Sequence, residues 1–569
     1  MNSVKFKNVL YDVREATDIR DMLLYGAEAY GEQAAYLVKN KPGGVYEPIS
    51  YSRVKSDMNA IGTALLSEGF GGQKIAVIGE NRYEWAVTYF AVVCGVGVIV
   101  PIDRELKAAD IASTIDKSDV TAIVYSGKVE KIVLEAIGIS RSKPLAISMD
   151  AAEDDSERRS LKKLIEKGLT LQGDGDKSYT SAEIDPDAMT ALLWTSGTMG
   201  AAKGVMLTHR NITANVVNMS KYVNVRGWTA LSVLPMHHTY EFTCLIFTAY
   251  YQGCTVAICE GLKYITKNLA ECQANVVVAV PLLLEKMHGR IWKTIEQSGR
   301  GKTVKAAVAV TKKVKKQDKM KKKIFKAVHE ALGGHMELLI SGGAAIDPLV
   351  IEDFNAMGIT MMQGYGMTEN SPILCVNKDR YFKAASAGLP MPGTEVSIME
   401  PDEEGVGEIA CKGPSVMLGY YKNDEETANV LRDGWLYTGD YGYFDDDGFL
   451  FITGRKKNVI VTKNGKNIYP EEVEYFLGTS PFIEEVVVWG KDDPASGDLA
   501  ICADIFPAYD EIAEVEPTAD VRALIDREVD KANAKMPPFK RVKRFDIREE
   551  EFAKTTTQKI KRHEVKHEE

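Results

Sequence analysis

The sequence predicts an α/β protein. A large N-terminal domain of layered α/β sheets covers residues 1–455 and closes with a small β-rich subdomain at 395–455. A mobile small α+β C-terminal domain follows over 456–569. Three observations predict this. Short β-branched runs alternate with helical patterns from the N-terminus onward, the order that builds parallel sheet covered by helices. Near residue 395 short strands and tight turns take over, marked by Gly405, Gly407, Gly413, Gly419, Asp433-Gly434 and Asp447-Gly448. At Gly454-Arg-Lys-Lys-Asn458 a basic turn opens a lysine-rich tail of ordinary small-domain length, and the hinge is placed there.

The elements follow in order. Lys74–Ile78, Thr121–Tyr125 and Leu145–Ser148 read as short buried strands, and Asp150–Arg159 as an exposed loop or helix start. Trp85 to Ile102 is apolar enough to mimic a membrane span. Gly95, Gly97 and Pro101 break it, so a buried helix feeding the strand Val98-Ile-Val100 is the expectation. Further strands are expected at Thr190–Trp194, Ala230–Leu234, Thr255–Cys259, Val276–Val280, Met336–Ile340 and Ile359–Met362. Lys302–Lys326 is strongly basic. A solvated helix face is the plainer reading; contact with an anionic membrane, or with the phosphates of a carrier, is the other.

Composition sets outer bounds. The chain has 569 residues, 45% hydrophobic and 26% charged, which suits a soluble globular protein of more than one domain. A net charge of −10 argues against a general nucleic-acid binder, so an anionic substrate must be met by local cations. The eight cysteines form no CxxC pair and read as reduced core residues of a cytoplasmic protein. Met1 to Leu10 is too polar for a signal peptide.

The chemistry concentrates in a few loops. In Thr195-Ser-Gly-Thr-Met-Gly-Ala-Ala-Lys-Gly204 an apolar strand gives way to hydroxyls, glycines and a lysine. Backbone N–H groups can converge there beside a cation, which suits phosphate. It is not a Walker A loop, because Gly204 follows Lys203 where that loop needs Ser or Thr for magnesium. Gln363-Gly-Tyr-Gly-Met-Thr-Glu369 follows an apolar strand, as suits a ligand at the carboxyl end of a sheet. Tyr365 can stack on a base, Thr368 can donate to phosphate, and Glu369 offers a hard oxygen for Mg²⁺. By itself the loop is weak evidence and reads first as a plain turn. Asp440, after Gly439, can accept two ribose hydroxyls or cap its own turn, and Arg455 can join it at the sugar. Lys559 lies in a lysine-rich tail, where such side chains are usually solvated.

Together, and in this order, these motifs resemble the adenylate-forming superfamily of acyl-CoA synthetases, luciferases and peptide-synthetase adenylation domains. The resemblance runs nearly the whole length and is strongest to fatty acyl-CoA synthetases. Thr195, Ser196, Gly197, Thr198, Gly200, Lys203 and Gly204 keep the family's phosphate loop, while Met199 and Ala202 depart from it. Leu234-Pro-Met-His-His-Thr-Tyr-Glu241 resembles the segment that places His238, not His237, beside the acyl carboxylate. Ser341-Gly342-Gly343-Ala344 resembles the adenine-side loop, and Gln363, Gly364, Tyr365, Gly366, Thr368 and Glu369 the segment with the stacking Tyr and the magnesium Glu. Asp440 and Arg455 resemble the ribose ligands, Lys457 the hinge and Gly465 part of the pantetheine channel. Lys559 matches the catalytic lysine, although Gln558 and Ala553 depart from the pattern around it.

The resemblance implies an ATP-dependent, Mg²⁺-requiring ligase. It would join a fatty acid, long-chain on overall likeness, to coenzyme A through an acyl-adenylate. Catalytic roles fall to Lys559, His238, Thr195 and Glu369. An acyl carrier protein as acceptor, a stand-alone adenylation enzyme and a non-catalytic nucleotide sensor are the alternatives. A peptide-synthetase domain is disfavoured because no carrier domain follows. The implied location is the cytoplasm, with peripheral contact at the inner membrane face as a further option, and the implied partners include no nucleic acid.

Overall fold

The computed structural model describes residues 9–195, 202–314, 318–462, 467–493, 498–555 and 560–565. The fold is mixed α/β, as the alternating pattern predicts. Its chain divides into two compact units, Met1–Glu395 with Lys412–Leu436, and Val396–Cys411 with Tyr437–Glu569.

The first unit holds two large sheets. In the nine-stranded sheet the spatial order is Leu389–Pro390, Ile373–Val376, Thr360–Gly366, Leu338–Ser341, Val276–Ala279, Thr229–Ser232, Thr255–Ile258, Ala34–Val38 and Glu47–Ser50. Its central strands, from Thr360–Gly366 to Ala34–Val38, are parallel. They are runs of Val, Ile, Leu and Ala because both faces are covered. Leu269, Leu284, Ile351 and Phe354 from the flanking helices pack with Val277, Leu339 and Met361.

The eight-stranded sheet runs Gly419–Tyr420, Lys203–Thr208, Met189–Thr195, Val98–Ile102, Lys74–Ile78, Val120–Tyr125, Leu145–Ser148 and Arg159–Ser160. It is parallel from Met189–Thr195 onward, and antiparallel at the Lys203–Thr208 edge. The span-like run resolves as helix Tyr83–Ala91, a wide π-helical turn Val92–Val96 and the strand Val98–Ile102. Gly97 permits the exit, since a Cβ there would lie 2.1 Å from the Gln73 carbonyl oxygen. Among the described residues no helix is long and apolar enough to cross a membrane.

Two expectations need adjustment. The strand expected over 230–234 ends at Ser232, because the Leu234 carbonyl and the Met236 N–H bond to the Asn81 side chain. The basic segment forms helices Gly301–Thr311 and Asp318–Ile324, but its lysines are not uniformly solvated. Lys312 reaches Glu352 (3.1 Å) and Asp353 (3.0 Å), Lys305 reaches Glu296 (2.9 Å), and Lys322 pairs with Glu337.

In the second unit the strands Gly407–Lys412, Trp435–Phe444 and Leu450–Arg455 lie side by side. A three-stranded sheet, Ile483–Asp493, Asp498–Pro507 and Val542–Ile547, carries helices Pro470–Gly478 and Val521–Asn533. Ile468, Val473, Leu477, Val488, Ile501, Ile505, Ile525 and Val529 form its core.

Candidate active site

Parallel strands deliver their following loops to one edge of a sheet. In the nine-stranded sheet, Ser341 lies in register with Gln363 and with Ala279, and Thr229–Ser232 pairs with Val276–Ala279. The loops carrying His238, Ser341–Ala344 and Gln363–Glu369 therefore leave the same carboxyl edge, the first separated from the other two by the strand Val276–Ala279. His238 lies more than a hundred positions before the other two loops in the sequence, and the register brings all three to one edge.

Packing at this edge leaves little freedom. Tyr240 donates to the Ile340 carbonyl (3.1 Å), and a Cβ on Gly342 would meet its ring at 2.6 Å. Gly343 takes φ +87°, a left-handed conformation that favours glycine. Gln363 is buried and donates to the Ala384 carbonyl (2.8 Å). A Cβ on Gly366 would lie 2.0 Å from the Pro372 carbonyl oxygen, so the backbone after Tyr365 must be bare.

His238 caps the turn Thr239–Glu241, and its N–H bonds the Pro235 carbonyl (3.1 Å). The rings of His237 and His238 lie 4.1 Å apart. His237 Nε2 is buried and lies 3.6 Å from Asp103, beyond hydrogen-bond reach. Burial, with Arg104 nearby, pushes its pKa down to about 3, so it stays neutral.

The phosphate-loop hairpin is anchored in the other sheet. Thr195 and Lys203 face each other across the strands Met189–Thr195 and Lys203–Thr208. Lys203 pairs with Glu426 and lies 5.0 Å from the centre of the Tyr420 ring. The lysine holds the Glu426 carboxyl below its ordinary value. Tyr420 belongs to the short strand that pairs with Val205 and Met206, and its hydroxyl donates to Glu369 Oε1 at 2.9 Å. Tyr420 thus joins the lysine of one sheet to the carboxylate of the other. The Glu369 main chain is fixed as well, by the Met417 N–H on its carbonyl (2.9 Å).

Glu369 is half-buried and oriented by a hydroxyl donor, and its carboxylate oxygen is the hard donor that Mg²⁺ takes. Among the described residues no three His, Cys, Asp or Glu side chains group as metal ligands.

In the second unit Asp440 and Arg455 face each other on antiparallel strands, with Arg455 Nε 2.8 Å from Asp440 Oδ1. The Asp440 N–H bonds the Thr438 hydroxyl (3.1 Å), and Gly439 takes φ +71°. Lys457 is exposed on the single turn Lys456–Asn458, while Lys456 beside it is tied to Glu408 (2.6 Å). Ser196, Gly197, Thr198, Gly200, Gly465 and Lys559 lie outside the described residues.

Sequence reasoning missed Tyr420, Glu426 and Asn81. The run Gly419-Tyr-Tyr421 through Asn423-Asp-Glu-Glu426 reads locally as a turn and a helix start. Nothing in it points to a lysine more than 200 residues away.

A family model described as AMP-binding enzyme matches residues 26–421, and one described as AMP-binding enzyme C-terminal domain matches residues 457–568. The long-chain-fatty-acid–CoA ligase FadD15 of Mycobacterium bovis is 27% identical over 552 residues, covering 91% of this chain and 90% of that protein. A chloroplastic long-chain-fatty-acid–[acyl-carrier-protein] ligase of Arabidopsis thaliana is 32% identical over 414 residues, covering 61% of this chain and 55% of that protein. Among solved structures, an anthranilate CoA ligase in complex with anthranoyl-AMP superimposes with a TM-score of 0.75 at 19% identity, covering 97% of each chain. ATP-bound MatB from Rhodopseudomonas palustris gives 0.74 at 21% identity, covering 96% of this chain and 98% of that one. At such identities the structural likeness is one of fold.

Proposed function

The chain belongs to the AMP-binding enzyme family, and from that premise we propose that it is an ATP-dependent acyl-CoA ligase that activates fatty acids, long-chain ones by preference. One observation carries the reading. The loops of His238, Ser341–Ala344 and Gln363–Glu369 share a sheet edge, and Tyr420 links Glu369 to Lys203. The long-chain preference rests on the named activity of relatives such as the mycobacterial ligase.

In the first half-reaction a carboxylate oxygen attacks the α-phosphorus of ATP, the α–β bridging bond breaks, and pyrophosphate leaves. The difficulty is an anion approaching an anion. In this reading Lys203 and the hydroxyl of Thr195 would hold the departing phosphates, and Lys559 would meet charge at the α-phosphate. Glu369 would hold Mg²⁺, which when bound offsets phosphate charge. Tyr365 flanks the adenine, Asp440 and Arg455 take the ribose, and His238 lies beside the acyl carboxylate. Positioning supplies much of the rest, so no side-chain nucleophile is required. In the second half-reaction the sulfur of coenzyme A attacks the acyl carbon and AMP leaves. We assign the hinge to Lys457 and the mobile domain to 456–569, with Gly465 on the pantetheine path.

ATP–pyrophosphate exchange across a panel of carboxylic acids tests the reading. Exchange is expected to depend on added fatty acid and to peak with long chains. Lys559→Ala should abolish exchange and spare thioester formation from supplied acyl-adenylate; loss of both would remove the role given to Lys559. A carrier-protein acceptor is the second reading, favoured by the named activity of the Arabidopsis relative, and CoA-versus-carrier competition decides between them.

A further inference from the structure

The turn that carries His238 is gripped from both sides by a network outside every role given so far. Asn81, in the loop after the strand Lys74–Ile78, donates to Ser232 Oγ (3.0 Å) and to the Leu234 carbonyl (2.6 Å), and its own oxygen accepts from the Met236 N–H (3.1 Å). On the other side Ser232 Oγ donates to Glu241 Oε1, and the Leu234 backbone N–H bonds the same carboxyl. Glu241 in turn closes the helical turn that starts at His238, through its N–H on the His238 carbonyl (3.1 Å). Hydrogen bonds thus run from Ser232 through Glu241 and His238 to Pro235, and Asn81 ties this chain to the second sheet.

Glu241 is fully enclosed, with no exposed surface, and its Oε2 has no hydrogen-bond partner among the described residues. An ionised carboxylate in that setting would be costly, whereas a carboxylic acid is tolerated. The titratable groups that feel it are Tyr240 on its own turn, Cys244 in the helical segment Phe242–Phe247 that follows, and Cys259 after the strand Thr255–Ile258. A phenol and two thiols carry no positive charge, and burial keeps all three neutral, so none compensates an ionised carboxyl. Burial pushes the carboxyl up from its ordinary 4.5 to about 8, against the opposing Ser232 and Leu234 hydrogen bonds.

We propose that Glu241 is a positioning residue that holds the His238 turn in place as a neutral carboxylic acid, and that its ionisation releases the turn. This rests on the functional reading above, in which His238 lies beside the acyl carboxylate. At physiological pH the acid clamps the turn. Above the midpoint a buried, uncompensated charge forces it open, and the fatty acid loses its placement.

The test uses ATP–pyrophosphate exchange, which avoids the titrating thiol of coenzyme A. In the native protein kcat/KM for the fatty acid should fall with a midpoint near pH 8. Glu241→Gln keeps the shape and the neutral charge; it should keep the activity at pH 7 and lose the alkaline fall. Glu241→Ala should cost about tenfold or more at pH 7, mainly through KM, since small misplacements of a positioning group are expensive. A Gln variant with the same alkaline fall, or as impaired as the Ala variant, overturns the proposal. A second readout needs no turnover. Because the folded-state pKa lies above the unfolded one, native stability should decline from about pH 4.5 to about pH 8 relative to Glu241→Gln, then run parallel. A Tm difference that stays constant across that window also overturns it. If no acid supports exchange at all, the functional reading falls, and the Tm comparison alone still decides whether Glu241 is neutral.

Discussion

Lys203 and Glu241 sit in the same unit and serve the same proposed reaction, yet they are held in opposite ways. Lys203 keeps 27% of its side chain exposed and is met by a full opposite charge from Glu426, itself 39% exposed. Glu241 has no exposed surface, and its contacts are a hydroxyl, a backbone N–H and other neutral groups. An ion pair near solvent is worth little net, commonly under about 1 kcal/mol, so an incoming phosphate can take over the lysine at small cost. A buried hydrogen-bonded network resists exchange, because every lost partner leaves a desolvated group behind. The group that must meet a changing ligand is held loosely by charge. The group that must not move is held by neutral hydrogen bonds.

The largest test of this contrast removes the cation itself. Lys203→Met should lower the adenylation rate by roughly 10²- to 10³-fold, the usual loss when one donor to transition-state charge is removed. Far-ultraviolet circular dichroism and Tm should change little, since the pair it breaks is partly exposed. If Tm falls steeply while exchange activity survives, Lys203 is a structural residue and the contrast collapses.

The buried side should behave in reverse. Asn81→Ala strands the Leu234 carbonyl and the Met236 N–H and unties Ser232. Each unsatisfied buried group costs ~1–3 kcal/mol, so a loss of at least ~2 kcal/mol in unfolding free energy is expected, read from the urea midpoint at constant m. Weakened activity should appear as a raised KM for the fatty acid, with KM for ATP unchanged. An equal rise in both KM values would show that the network supports the whole sheet edge rather than the His238 turn.

The contrast also marks what the sequence can show. The strands Lys74–Ile78, Val120–Tyr125 and Val276–Ala279 were legible because a strand buried on both faces must be an unbroken apolar run. The loops at Thr195, Gln363 and Asp440 stood out in the sequence only as a set, because each alone also reads as a turn. Tyr420, Glu426 and Asn81 were hidden for a physical reason. Each makes its contact through an ordinary side chain across 51, 223 and 151–155 positions respectively, and no local pattern encodes a pairing that only the finished sheets create. Glu241 lies between. Its place three residues after His238 is visible, but its neutrality depends on burial, which appears only when Thr229–Ser232 and the turn Thr239–Glu241 pack.

The smallest expected effect is the most pointed. Glu426→Gln leaves the tyrosine–Glu369 contact in place and removes only the charge that Lys203 meets before ATP arrives. If the pair is an exchangeable placeholder, the variant should bind ATP more tightly, by about three- to tenfold, because the phosphates no longer compete with a carboxylate for the lysine. A threefold change corresponds to about 0.7 kcal/mol, inside the usual range for a partly exposed pair, and a tenfold change to about 1.4 kcal/mol, just above it. The gain should shrink with added salt, as screening weakens the competing attraction in the native protein. Calorimetric titration with ATP at two ionic strengths measures both quantities without turnover. Weaker binding in the variant would mean that Glu426 aims the lysine at the phosphates rather than occupying it. Lys203 would then be held in place as firmly as the His238 turn, only by charge in place of neutral hydrogen bonds.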